Sequence, residues 1–232
     1  YTDTTDEPGS IIHRATLSAT AFDYEDIPPD NTGNVYLGDV GNNTGRRTEQ
    51  RIFRYHPDKP GTDSIVFSYP GQNGEGRDQT GNFDCEAMIW HRDTLHLFTK
   101  DQLFGKGSYI TYHYRLPATP GRYVAELVDS LRLPRRVVTA AAFDPERNEL
   151  VLTAYNFKML GGFWPSGFAS LLTISDFPEG RFLSGTVRRR NLSWFWPTQF
   201  EAVDFYDGQW LYVGSEATRL RKLAVGKRKK RR

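Results

Sequence analysis

Asp23-Tyr24-Glu25-Asp26-Ile27 recurs along the chain in altered form. Asp84-Cys85-Glu86-Ala87-Met88 and Gln199-Phe200-Glu201-Ala202-Val203 each set one glutamate at the head of an apolar run. Val138-Thr139-Ala140-Ala141-Ala142-Phe143 keeps the frame, with Thr139 where the others have glutamate. Successive copies lie 61, 53 and 62 residues apart. A turn and a second β-type run follow each one. Such a unit at such a period predicts an all-β protein, specifically a β-propeller of four-stranded antiparallel blades. Four blades are visible; the rival account is a fragment of a five- or six-bladed ring.

The intervening residues supply the remaining strands. The first unit takes Val35 to Gly38, Arg51 to His56 and Ile65 to Tyr69, and the second takes Leu95 to Thr99, Tyr109 to Leu116 and Tyr123 to Leu131. The third takes Leu150 to Thr153, Ala169 to Ser175 and Phe182 to Arg190, and the fourth Trp210 to Val213 and Leu220 to Val225. Gly, Asn, Asp and Pro mark the turns between them. Ile11 to Ala19 alternates apolar and polar residues and is an unmatched strand, suited to covering the open edge of the last blade. No helix-period segment of useful length appears.

Fifteen Phe, twelve Tyr and five Trp suit strands, where flat side chains pack well. The net charge of +2 hides an asymmetry, because Lys227 to Arg232 are all basic and the rest holds 24 basic against 28 acidic residues. The division is one domain, 1–226, and a basic disordered tail, 227–232. A basic tail can meet nucleic acid, lipid or any acidic surface. The body lacks the clustered basic face with exposed aromatics that nucleic-acid binding needs, so none is expected. Cys85 is the lone cysteine, which excludes an internal disulfide, and the five histidines lack metalloprotease spacing. No apolar run is long enough for a membrane span. Walker, nucleophile-elbow and dinucleotide motifs are absent. A monomer is expected.

Propeller geometry brings the start of each first strand beside the end of the second. Glu25 then faces Asp39, Glu86 faces Lys100, Thr139 faces Thr153 and Tyr155, and Glu201 faces Glu216, with Asn42 and Asn43 on the same face. Glu25, Asp39, Glu86 and Glu201 are candidate ligands for Ca²⁺, which takes six to eight oxygens. The same residues also suit backbone capping, pairing with Lys100, or acid–base work. Two aromatic segments reach this face as an expected rim: Phe163 and Trp164 in a loop of the third unit, Trp194 and Trp196 in the connection to the fourth. They suit a sugar, a peptide or a protein surface, or simply packing between blades.

At these residues the sequence resembles a family of secreted or periplasmic bacterial β-propeller proteins of mostly unassigned function. The family pattern is Asp-Trp-Glu-Asp-Ile, then Gly-Asp-Ile-Gly-Asp-Asn, then Ile-Tyr-Arg. Here it reads Asp23 to Ile27, Gly38-Asp39-Val40-Gly41-Asn42-Asn43, and Ile52-Phe53-Arg54. Glu86-Ala87, Phe98-Thr99-Lys100 and Ser215-Glu216 also look similar. Tyr24, Asn42 and Ala142 depart from the pattern, and the last two weaken any cation site carried over. Full-length members have a further blade before the first strand here, which favours the fragment account. The resemblance implies a secreted or periplasmic setting. Calcium-dependent lactonases and phosphotriesterases share the propeller plan by analogy of fold. The expected function is a binding or scaffold module that meets a small ligand, glycan or protein at its top face; the alternative is a calcium-dependent hydrolase at the same mouth.

Overall fold

Each of the four related segments forms the first strand of its own sheet. The computed structural model describes residues 17, 20–73, 83–100, 108–160, 164–195, 199–207, 210–215 and 227–230, without side-chain description at 157–160, 164–166, 194–195, 206–207 and 227–230. Sheet one begins with β1 (Tyr24–Asp26), β2 (Val35–Asp39), β3 (Gln50–Tyr55) and β4 (Thr62–Ser68). Then come β5 (Cys85–His91), β6 (Thr94–Thr99), β7 (Ile110–Pro117), β8 (Gly121–Val124) and β9 (Glu126–Arg132). Sheet two is β5-β6-β7-β9, and β8 returns to sheet one. Sheet three holds β10 (Val137–Asp144), β11 (Glu149–Leu160), β12 (Trp164–Ser175) and β13 (Thr186–Phe195) in order. Sheet four holds β14 (Phe200–Asp207), β15 (Trp210–Ser215) and β16 (Lys227–Lys230). The protein is all-β; among the described residues its strands form four sheets that pair antiparallel except for β4 with β8 inside sheet one.

Local chemistry explains the hairpins. Arg92 and Asp93 both take positive φ, as a two-residue turn that follows the strand twist requires. Among the described residues three apolar clusters form the core, each made by neighbouring sheets. Tyr36, Ile52 and Phe67 pack with Met88, Leu95 and Leu97; Ile89 and Phe98 pack with Val138, Leu150 and Phe182; Val137, Tyr155 and Leu171 pack with Phe200, Val203, Leu211 and Val213 of sheet four. The first strands β1, β5, β10 and β14 adjoin in that succession.

The structure departs from the expected strands in four places. Tyr123 to Leu131 is not one strand. It divides at buried Ala125, whose N–H donates to Ser68 O, so that β8 covers the edge of sheet one while β9 completes sheet two. β11 and β12 run well past Thr153 and start well before Ala169, because their ladder continues to Leu160 and Trp164. Phe182–Ser184 is a 3-10 turn rather than strand, since Asp129 accepts hydrogen bonds from Leu183 N and Ser184 Oγ. Lys227–Lys230, expected to open a disordered tail, pairs with Trp210 to Val213. The expected strand Leu220 to Val225, and all of Ile11 to Ala19 except Leu17, lie outside the described residues. No helix among the described residues is long and apolar enough to cross a membrane.

Candidate functional site

The repeated glutamate position is a β-bulge in every sheet. Tyr24 pairs with Asp39 and Asp26 with Gly38, which leaves Glu25 as the extra residue. Glu86 is skipped between Cys85 and Ala87, Thr139 between Val138 and Ala140, and Glu201 between Phe200 and Ala202. A bulge bends its strand and re-aims the extra side chain. The direct cross-strand partnership expected for Glu25 and Asp39 is therefore replaced by Tyr24 opposite Asp39.

Three of the expected residues meet through Lys100. Its Nζ donates to Glu86 Oε1 at 2.7 Å and lies 5.9 Å from the centre of the Tyr155 ring. The Tyr155 hydroxyl donates to Glu201 Oε1 at 3.3 Å, and Gln199 Nε2 donates to the same oxygen at 3.4 Å. Glu25 feels the charges of Glu86, Asp23 and Asp84, with Lys100 opposing them. Thr139 takes the missing glutamate's place as a staple between sheets: its Oγ1 donates to Phe200 O at 2.6 Å and lies 3.2 Å from Thr153 Oγ1.

Asp39, Asn42 and Asn43 belong to a different network. Asp39 Oδ1 accepts from Phe22 N, Asp23 N and Arg47 Nη1. Asn42 Oδ1 accepts from Arg47 N, Asn42 N donates to Asp84 Oδ1, and Asn43 Nδ2 donates to Asp23 Oδ2. Trp164 begins β12 and Trp194 lies within β13, so neither sits in the loop or connection expected for it. Phe163, Trp196 and Glu216 lie outside the described residues.

Carboxyl groups outnumber cations here, and their acidities record it. Burial, then the charges of Glu86, Asp23 and Asp84, push Glu25 up to about 9. Burial also raises Glu86, to about 7, although Lys100 pulls it down. Burial works against the Lys100 ammonium, but the Glu86 charge outweighs it and holds Lys100 above its ordinary range. Burial lifts Asp26 to about 7 even though its carboxylate accepts from Met88 N and Ile27 N, and it lifts Asp204 as well. Gly41 makes this crowding sterically possible, since a Cβ there would strike Glu25 Oε1 and Asp23 Oδ2.

A cavity of about 620 Å³ opens along the four first strands. Its acidic lining is Glu25, Asp26, Glu201 and Asp204, no Lys, Arg or His among the described residues lines it, and Met88, Trp90 and Phe143 are among its apolar walls. Two of the four candidate calcium ligands already have cationic partners. Glu86 is held by Lys100 and Asp39 by Arg47, and among the described residues no three His, Cys, Asp or Glu side chains group closely enough to hold a metal ion.

Sequence reasoning passed over Asp23, Asp84, Asp26 and Asp204. Asp23 and Asp84 carried a signal, because each precedes a repeat glutamate by two positions. It also passed over a buried chain of polar groups in sheet two. His96 Nδ1 lies 2.8 Å from His113 Nε2, and His113 Nδ1 lies 2.7 Å from Asp129 Oδ1. The Asp129 carboxylate fixes the tautomers: His113 donates from Nδ1, so its Nε2 accepts from His96. Burial, followed by the charge of His113, lowers His96 to about 3, and burial lowers His113 although Asp129 opposes it.

The chain matches no protein-family model, and no curated protein shows significant similarity to it.

Proposed function

We propose that the protein is a binding module working outside the cytoplasm, that its four sheets are blades of a β-propeller, and that it takes a cationic ligand in the cavity along their first strands. The observation that carries this reading is the cavity lining among the described residues: four carboxyl groups, apolar walls and no basic side chain. A ligand cation there would supply the charge that Glu25, Asp26 and Asp204 lack, and the walls suit an organic ammonium with an apolar body. The common bulge position and the order of the first strands support the propeller. The resemblance to secreted and periplasmic propellers supports the extracytoplasmic setting.

The surplus of carboxyl groups also favours a second reading, a calcium-dependent hydrolase. Ca²⁺ would need Glu25, Glu86 and Glu201 to draw together and Lys100 to release Glu86. Thermal melting with benzylammonium, benzyl alcohol and Ca²⁺ separates the readings, because a ligand of the folded state raises the melting temperature by mass action. The expected result is a saturable rise with benzylammonium, absent with the neutral alcohol and lost in Asp204→Asn. A rise with Ca²⁺ alone, with lactone or phosphotriester hydrolysis requiring Glu86, would install the hydrolase. No response to either cation refutes both.

A further inference from the structure

Residues 186–191 of β13 are all exposed, and β13 forms the outer edge of sheet three. Among the described residues no strand pairs with that edge, whereas β8 covers the edge of sheet one. A bare edge presents a row of backbone N–H and C=O groups, which is a template for one more strand. The exposed stretch reads Thr186-Val187-Arg188-Arg189-Arg190-Asn191, with three arginines in succession. At about 3.3 Å per residue it offers about 20 Å of open edge.

Successive side chains of a strand alternate between its two faces. Arg189 lies opposite Leu172, which packs toward sheet two, while Arg188 lies opposite Thr173 on the other face. Two further arginines reach the Arg189 side from the connection between β9 and β10. Arg136 Nε donates to Ser170 Oγ at 3.1 Å, and Ser170 is fully buried opposite Asn191. Burial, then the charges of Arg189 and Arg135, lowers the Arg136 guanidinium from its ordinary value. Arg135 is exposed and holds φ at 61°, a left-handed conformation that a non-glycine residue rarely adopts. Arg135, Arg188 and Arg189 enter no ion pair among the described residues. Charge that merely keeps an edge solvated needs no gathering from a strand and a loop against its own repulsion.

We propose that the β13 edge docks an extended acidic segment of a partner protein, which adds a fifth strand to sheet three with its carboxylates toward Arg189, Arg135 and Arg136. Main-chain hydrogen bonds supply the affinity of such a strand, and its alternate side chains supply the specificity. A second copy of the same edge does not suit, because arginines would stand opposite arginines. No residue of β13 lines the acidic cavity, so the surface works whatever that cavity binds.

The test is fluorescence anisotropy of the 232-residue chain with a labelled, end-capped hexapeptide that alternates glutamate and valine. Two controls carry backbone N-methyl groups, one at every glutamate and the other at every valine. Alternate N–H groups of a strand point to opposite edges, so one methylated peptide loses its ladder with β13 and the other keeps it. Saturable binding of the parent peptide is expected, weaker at higher salt, retained by one methylated peptide and lost by the other. Arg189→Gln and Arg135→Gln should each weaken it about threefold, the size of one opposite-charge pair, and Arg188→Gln on the other face much less. All three positions are exposed, and the methylated pair uses the unaltered chain, so the test stands should a variant misfold. No saturable binding, equal behaviour of the two methylated peptides, or equal effects of the Arg188 and Arg189 substitutions would overturn the proposal. Binding of hexathymidylate or a heparin hexasaccharide as tightly as the peptide would overturn it too, in favour of a surface for polyanions at large.

Discussion

Replacing Glu25 by Gln isolates the charge crowding at the repeat position. The substitution keeps the shape of the side chain and fixes it in its neutral form. Burial and the charges of Glu86, Asp23 and Asp84 raise this carboxyl from its ordinary 4.5 to about 9. A group raised on folding stabilises the folded state below its unfolded pKa, and that contribution is lost as pH climbs toward the folded value. At pH 8 the folded state therefore carries a penalty that the variant escapes. At about 1.4 kcal/mol per pH unit above 4.5 the unscreened penalty is about 5 kcal/mol. Solvent reaches this half-buried side chain, and screening brings the expected gain to about 2 kcal/mol. Urea unfolding at pH 4.5, 6 and 8 reads it directly. The two proteins should coincide at pH 4.5, and the variant should unfold at progressively higher urea as pH rises. Equal stability at every pH, or a variant weaker at pH 8, would show that Glu25 is not crowded by its neighbours.

Lys100→Met should lower stability by about 3 kcal/mol at pH 8, because it strands the Glu86 carboxylate; urea midpoints should show a smaller loss at pH 5, where Glu86 takes up a proton, and an equal loss at both pH values would refute the pairing. The histidine chain titrates in the opposite sense to the carboxyl groups. His96 and His113 are depressed on folding, so their contribution is present above about 6.5, the ordinary histidine value, and is lost as pH falls below it. Asp129, Arg115 and His91 are the charged or titratable groups around them, with Phe182 packed against all three histidine rings. His96→Leu should therefore lose less stability between pH 7 and pH 5 than the parent protein, as followed by thermal melting; an unchanged pH profile would count against a neutral buried His96.

The order of amino acids was enough to show that four related segments each begin a sheet, because apolar periodicity and turn residues act over a few neighbours. Glu25, Glu86, Thr139 and Glu201 could be aligned from the chain alone, and Lys100 could be named as a partner for Glu86. Their bulges could not, since an extra residue in a strand is defined only by what the opposite strand skips. The partition of Gly121 to Arg132 between two sheets was equally hidden, because Ala125 looks like any residue of a continuous strand until Ser68 O and the edge of β4 are beside it. Asp39 was drawn away from Glu25 by Arg47, and Asn42 and Gln50 were left with orphaned atoms by a loop that wraps around that same arginine. His96, His113 and Asp129 stand 17 and 16 residues apart and meet only across three strands. Local chemistry chose the strands; contacts between residues distant in sequence decided which charges were crowded, which were paired, and where cavities remained.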